Sequence, residues 1–465
     1  MSTAVTAPGL AAASPELDLA DIQGIVLRSY RMAVLRNIVL RVDDVTRAKS
    51  FLRELAEGGP QSVRVQNSES WDAKPEYCVN VGFTAEGLKA LGMPAETLAT
   101  FPAEFLAGAV ARASEVGDTG PNDPANWIDA FRTSDVHILL TISGASTGAV
   151  DAVTKTIRSV GDGAVAEIFT RDGLLPPDHR AHFGYVDGIS QPRIAGVPAP
   201  KPDASGIPEF TDPMALVPPG AFVLGHESQH PGLFYPMPSP QALGRNGSFA
   251  ALRILEQDCA GFENFLDEAA KQTGLDREMI AAKLCGRWRS GVPLVLSPAS
   301  GQPGSVPVEQ WNEFDFSNDP AGKLCPFGAH IRRNNPRKSS VAGDGGERHR
   351  IMRRGLPYGV PFDPKNPDDG IERGLLGLFI CGNLRDQFEF LMKDWVNDGD
   401  FAGLGTDRDP VLGNQPSAGG RFRFPVQGKP QVVLRGMKSF ITTRAGAYVF
   451  LPGLGGLRYL AAMPG

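Results

Sequence analysis

The stretch Ala33–Val42, AVLRNIVLRV, followed closely by Val45–Ala56, VTRAKSFLRELA, decides the fold. The first segment is rich in Val, Leu and Ile and has the length of a strand. The second spaces Ala48, Phe51, Leu52 and Leu55 at three- and four-residue intervals, which puts them on one stripe of a helix. Asp43 and Asp44 stand ready to cap its first turn. Working outward, Tyr77–Phe83 predicts a second strand, and the segment through Leu88 and Leu91 a helix. Val136–Ser143 (VHILLTIS) predicts a third strand, Val150–Val160 a helix, and Val165–Thr170 a fourth strand. With Tyr77 and Val136 paired as neighbours, the order β-α-β-β-α-β is the ferredoxin-like plan, an antiparallel sheet with helices on one face.

The composition then shifts. Twelve of the 39 prolines fall within 191–240, which predicts an irregular connection. Beyond it, Phe249–Leu255 reads as a strand and Gly261–Gln272 and Met279–Cys285 as helices. Gly374–Cys381 (GLLGLFIC) is a strand, Leu384–Val396 a helix and Tyr448–Leu451 a final strand. The expected class is therefore α+β, with two ferredoxin-like lobes, each an antiparallel β-sheet with packed helices. A disordered tail covers 1–17, the first lobe 18–190, the proline-rich connection 191–240 and the second lobe 241–465. No sequence repeat relates the halves; the duplication is inferred from element order alone.

The chain has 465 residues, 42% hydrophobic and 21% charged, as in an ordinary globular protein. No apolar run approaches the ~18–20 residues of a membrane span. A net charge of −6 argues against a generic nucleic-acid binder. The five cysteines are scattered without a C-x-x-C pair, and no Lys or Arg precedes Arg28. Neither a disulfide framework nor a secretory leader is expected, and a reducing cytoplasm is the predicted compartment.

Three constellations could carry chemistry. His226-Glu227-Ser228-Gln229-His230 is a literal H-E-x-x-H, which in zinc hydrolases needs a helix to bring both imidazoles to one face. Gly225 and Pro231-Gly232 bracket it here, so a chance match between loop histidines is the reading preferred. A basic cluster holds Arg332, Arg333, Arg337, Lys338, Arg348, Arg350, Arg353 and Arg354. It reads as a solvated loop, a nucleic-acid patch, or a site for a dianionic ligand. His330 lies just before it, and a histidine beside small residues and arginines also suits a haem axial ligand. Finally, Asp187 lies in Gly184-Tyr185-Val186-Asp187-Gly188. This is either a turn, or a carboxylate presented where backbone approaches a ligand closely.

Taken in order, Gly184-x-x-Asp187-Gly188, CPFGAHIRRNNPR at 325–337 and Ile351-Met352-Arg353-Arg354-Gly355 resemble the haem-containing dye-decolourising peroxidase family. Asp21-Ile22-Gln23-Gly24, Gly286-Arg287-Trp288 and Gln387-Phe388-Glu389-Phe390 extend the likeness from about residue 18 to the C-terminus. The length resembles the longer, cytoplasmic branch.

The resemblance implies two ferredoxin-like lobes with haem b in the second. It implies His330 as proximal iron ligand, Asp187 as distal acid and Arg353 as distal arginine. Arg337 would meet a haem propionate, with Arg332 the weaker candidate, and Leu376 and Phe379 would form the distal wall. The implied reaction uses hydrogen peroxide to oxidise bulky aromatic or dye-like reductants through a ferryl intermediate. Asp187 would move the proton and Arg353 stabilise charge on the breaking O–O bond. A carboxylate base stays competent where a histidine would be protonated, so an acidic optimum is expected. The resemblance also implies an acid near Asn383, which this chain lacks; Asp386 or Glu389 would have to polarise the proximal imidazole instead. The rivals are a haem-binding or delivery protein and, through His226, Glu227 and His230, a zinc hydrolase. Trp395 and Tyr358 are candidate radical sites, though packing roles suit both better.

Overall fold

The computed structural model describes residues 16–58, 63–198, 211–339, 348–367, 369–426 and 430–464. Positions 1–15 of the expected tail and 199–210 of the connection lie outside them.

The first half contains β1 (Val34–Val42), α1 (Val45–Glu57), β2 (Tyr77–Phe83), β3 (Ile138–Gly144), α2 (Thr147–Val160) and β4 (Val165–Leu174). Asp44 caps α1, its carboxylate accepting the Arg47 N–H at 2.9 Å, and the stripe Ala48, Phe51, Leu52 and Leu55 is buried. The second half contains β5 (Ser248–Gln257), α3 (Cys259–Thr273), β6 (Met352–Tyr358), β7 (Gly374–Cys381), α4 (Leu384–Glu389 and Leu391–Val396, with π-type winding) and β8 (Ile441–Leu451). Each half thus runs β-α-β-β-α-β, and each sheet has the order fourth–first–third–second strand.

The two sheets fuse into one ladder, β4-β1-β3-β2-β8-β5-β7-β6, antiparallel throughout. The junction is a single pair, Phe83 opposite Phe450. One core serves both halves: Ile38, Val79, Val81 and Leu140 from the first join Leu252, Ile254, Leu378 and Ile380 from the second. Burying such side chains contributes about 1.5–3 kcal/mol each. Gln23 stitches the junction, donating to Val81 O at 2.8 Å and Pro452 O at 2.9 Å.

Two features differ from expectation. The connection is not wholly irregular: Gln191–Ile194 pairs in parallel with Thr211–Val217, and Ala221, Phe222, Val223 and Leu224 enter the main core. Prolines flank that apolar run without interrupting it. Strand β6 was also not foreseen, because its Arg, Gly and Pro residues lack the strand signature. It is an edge strand, where such residues are tolerated. The other edge, β4, comes against it, since a Cβ placed on Gly173 would stand 2.9 Å from Leu356 Cβ.

Candidate active site

The loop before the connection carries Asp187. Gly184 and Gly188 have φ of 84° and 74°, a region that favours glycine. Arg180 holds the loop, donating from Nη1 to Gly184 O at 2.6 Å and Arg289 O at 2.8 Å. The Asp187 N–H donates to His179 O at 2.9 Å, and its carboxylate accepts the Gly188 N–H at 2.7 Å. His182 Nε2 lies 2.8 Å from Tyr358 O, tying the loop to β6. From β6, Arg353 reaches back, with Nη2 2.9 Å from Ser190 O. Asp187 and Arg353 are both exposed and line one cavity of about 420 Å³, together with Leu255, Leu375, Gly377 and Phe379.

His330 opens a short helix, His330–Asn334. Its Nδ1 lies 2.9 Å from Asp409 Oδ2 and 3.1 Å from Oδ1. Asp409 is fully buried and accepts the Val411 and Leu412 N–H groups at 2.9 and 2.8 Å and Asn334 Nδ2 at 3.1 Å. Burial pushes its carboxyl up, but the charge and hydrogen bond of His330, then the charge of Arg333, outweigh this and hold it below the usual carboxylate range. A carboxylate at Nδ1 fixes the proton there and leaves the Nε2 lone pair free. Nε2 has no hydrogen-bond partner among the described residues, and the side chain is 25% exposed. The Cys285 thiol, pushed up to about 11 by burial, also feels the charges of Arg287, Asp409 and Arg353.

Several expectations are corrected. The imidazole partner is Asp409; Asp386 instead binds His230 and Tyr235, and Glu389 pairs with Arg112 and Tyr448. Arg332 has no exposed surface: it binds Asp319 and Cys325 O and lies between the rings of Phe316 and Phe327. Two residues along a helix is a turn of ~200°, which carries its side chain away from that of His330. Arg337 is also buried, its guanidinium 2.8 Å from Asn312 O and 3.4 Å from Ser190 Oγ, at the base of the Asp187 loop. Leu376 borders the same cavity but is 1% exposed and packs in the main core, because strand alternation sends it to the face opposite Phe379. Leu375 shares the Phe379 face and was missed.

The basic cluster is no surface patch, since Arg332, Arg333, Arg337, Arg350 and Arg354 are buried. The H-E-x-x-H residues form no helix. His226 Nε2 meets Asn246 Oδ1, His230 Nε2 meets Asp386 Oδ2, and Glu227 accepts the Gly232 N–H. Among the described residues no group of three or more His, Cys, Asp or Glu side chains is placed to hold a metal ion. Trp395 and Tyr358 are buried packing residues.

Residues 21–177 match the family model of the DyP dimeric alpha+beta barrel domain. The chain is 30% identical to a dye-decolorizing peroxidase of Mycetinis scorodonius, covering 96% of this chain and 88% of the relative. It is 30% identical to a multifunctional dye peroxidase of Amycolatopsis, covering 95% and 96%. A solved dye-decolorizing peroxidase in complex with 2,6-dimethoxyphenol superposes with a TM-score of 0.79 at 26% identity, covering 96% of this chain and all of that one. Fold and relatives together define an oxidoreductase of the peroxidase class. The chain belongs to the dye-decolourising peroxidase family, and membership implies a haem.

Proposed function

We propose that the protein is a haem b peroxidase in which His330 holds the iron and Asp187 and Arg353 receive hydrogen peroxide. The donor set fits the group. His330 offers an open Nε2 backed by a buried carboxylate, and Leu375 and Phe379 offer a half-buried apolar wall. Haem, when bound, supplies the iron that takes the peroxide and the oxidising equivalents passed to the reductant.

The protein's own residues supply the rest. Asp187, open to the cavity, takes the proton from the entering peroxide and returns it to the leaving oxygen. Arg353, held at Ser190 O, places fixed positive charge where negative charge develops. Asp409 keeps the imidazole oriented. The reductants are aromatic or dye-like, a reading supported by the phenol complex of the relative. All five cysteines are free, which supports a reducing, cytoplasmic setting.

The observation that carries this reading is one cavity shared by Asp187 and Arg353, which come from segments 166 residues apart (353 − 187). The test is stopped-flow reaction with peroxide in Asp187→Asn and Arg353→Leu, with haem content measured in His330→Ala. Both distal variants should slow by about 10²-fold or more, and His330→Ala should lose most haem. Wild-type rates in Asp187→Asn, or full haem with an unchanged spectrum in His330→Ala, would overturn the corresponding assignment.

A further inference from the structure

The β6–β7 register places Arg353 opposite Phe379, Gly355 opposite Gly377 and Pro357 opposite Leu375. Directly opposed residues share a face, and all six line the cavity. The middle pair is glycine on glycine, so a strip of bare backbone runs between the Arg353–Phe379 end and the Pro357–Leu375 end. Leu375 and Phe379 are the only residues of β7 that are not buried, which marks this as the open face.

Phe379 does not stand upright on that face. A Cβ placed on Gly377 would lie 2.9 Å from Phe379 Cε2 and 3.0 Å from Cζ. The ring therefore lies back along the strand and covers the glycine. Only the far edge of a ring fills the place, and an aromatic ring has other staggered χ1 positions to turn to. With the ring down, Arg353 and Phe379 line a cavity of about 420 Å³. A turn of the ring, which lies 5.7 Å from that of Phe388, would add the strip over Gly377 to that cavity, floored by backbone and walled by Leu375 and Pro357.

We infer that Gly377 and Phe379 form a size gate that lets this enzyme use organic hydroperoxides bearing an aryl or branched alkyl group. The inference rests on the reading that Asp187 and Arg353 receive the peroxide. In a hydroperoxide ROOH the O–O bond breaks and the outer oxygen leaves with its R group as the alcohol. That group must have room on the Arg353 face, and the glycine strip supplies it. The balance is that of the hydrogen peroxide reaction: ROOH and two reductant molecules AH give ROH, water and two radicals A, one electron and one proton coming from each AH.

The experiment compares kcat/KM for cumene hydroperoxide and hydrogen peroxide, with 2,6-dimethoxyphenol as reductant, in the wild-type holoenzyme, Gly377→Val and Phe379→Ala. A single methylene in an apolar pocket discriminates about 10–200-fold. The cumene-to-hydrogen peroxide ratio should therefore fall at least ~10-fold in Gly377→Val and rise in Phe379→Ala. Absorbance titration gives a second readout: Gly377→Val should weaken 4-phenylimidazole far more than cyanide. If wild type does not turn over cumene hydroperoxide, or if neither variant moves the ratio or the phenylimidazole affinity, the gate is wrong. Loss of both peroxides in Asp187→Asn alongside that result leaves the catalytic reading intact. Full activity with both peroxides in Asp187→Asn and Arg353→Leu would remove the reading beneath the inference instead.

Discussion

The side-chain amide of Gln191 clasps the backbone of Arg353: Nε2 donates to Arg353 O at 3.0 Å, and Oε1 accepts the Arg353 N–H at 3.2 Å. One side chain thus takes the two hydrogen bonds that a neighbouring strand would take at this point of the sheet edge. It also couples the Asp187 loop, four residues earlier, to the strand that carries the arginine.

Gln191→Ala removes both bonds at a partly exposed site, where each contributes about 0.5–1.5 kcal/mol net. The unfolding midpoint should move little, while the rate of reaction with peroxide should fall roughly tenfold as the two groups lose their mutual placement. Stopped-flow rates and denaturant titration separate the effects. An unchanged rate would show that the clasp positions nothing.

Asp409→Asn keeps size and shape but removes the carboxylate from Nδ1 of His330. Loss of such a partner weakens a ligand site by about 10–100-fold. Haem should transfer faster to a scavenger globin, and the reduction potential should rise because the imidazole becomes a weaker donor. Unaltered transfer and potential would remove Asp409 from that role.

Arg332→Ala should be a folding defect. It leaves Asp319 buried without its cation and empties the space between Phe316 and Phe327. Breaking a buried pair costs about 3–5 kcal/mol. Soluble yield and unfolding midpoint should collapse. A stable variant that had lost only haem would restore the propionate role.

His182, His137 and His349 all have their imidazole pKa lowered, in each case chiefly by burial. A base with a depressed folded-state pKa is bound more readily by protons when unfolded. Its contribution to stability is complete above the unfolded value of ~6.5 and is lost as pH falls from there towards the folded value. Thermal midpoints should therefore drop on acidification below that point, even where turnover is expected to be fastest. His182→Gln should flatten the slope; an unchanged slope would show that His182 adds nothing to it.

The first half of the fold was legible almost element by element. Tyr77–Phe83 and Gly374–Cys381 have the bounds expected of them, and α1 has its expected cap and stripe. Strand β6 was not, although its Arg353 was singled out, because an edge strand needs neither continuous apolarity nor a donor at every position. His330, Asp187 and Arg353 were legible as motif residues in a resemblance, not from their spacing.

What the sequence by itself determined is the set of local elements and the identity of the reactive side chains, since periodicity, caps and motifs act over a few residues. Tertiary structure alone decided which groups meet. Asp409 is 79 residues from the His330 it holds, and Phe83 meets Phe450 across nearly the whole chain. It also decided that Leu375 shares the face of Phe379, and that Phe379 lies over Gly377. The reason is physical: pairing across a ladder and burial of a carboxylate depend on groups far apart in the chain, and such contacts leave no local period in the sequence.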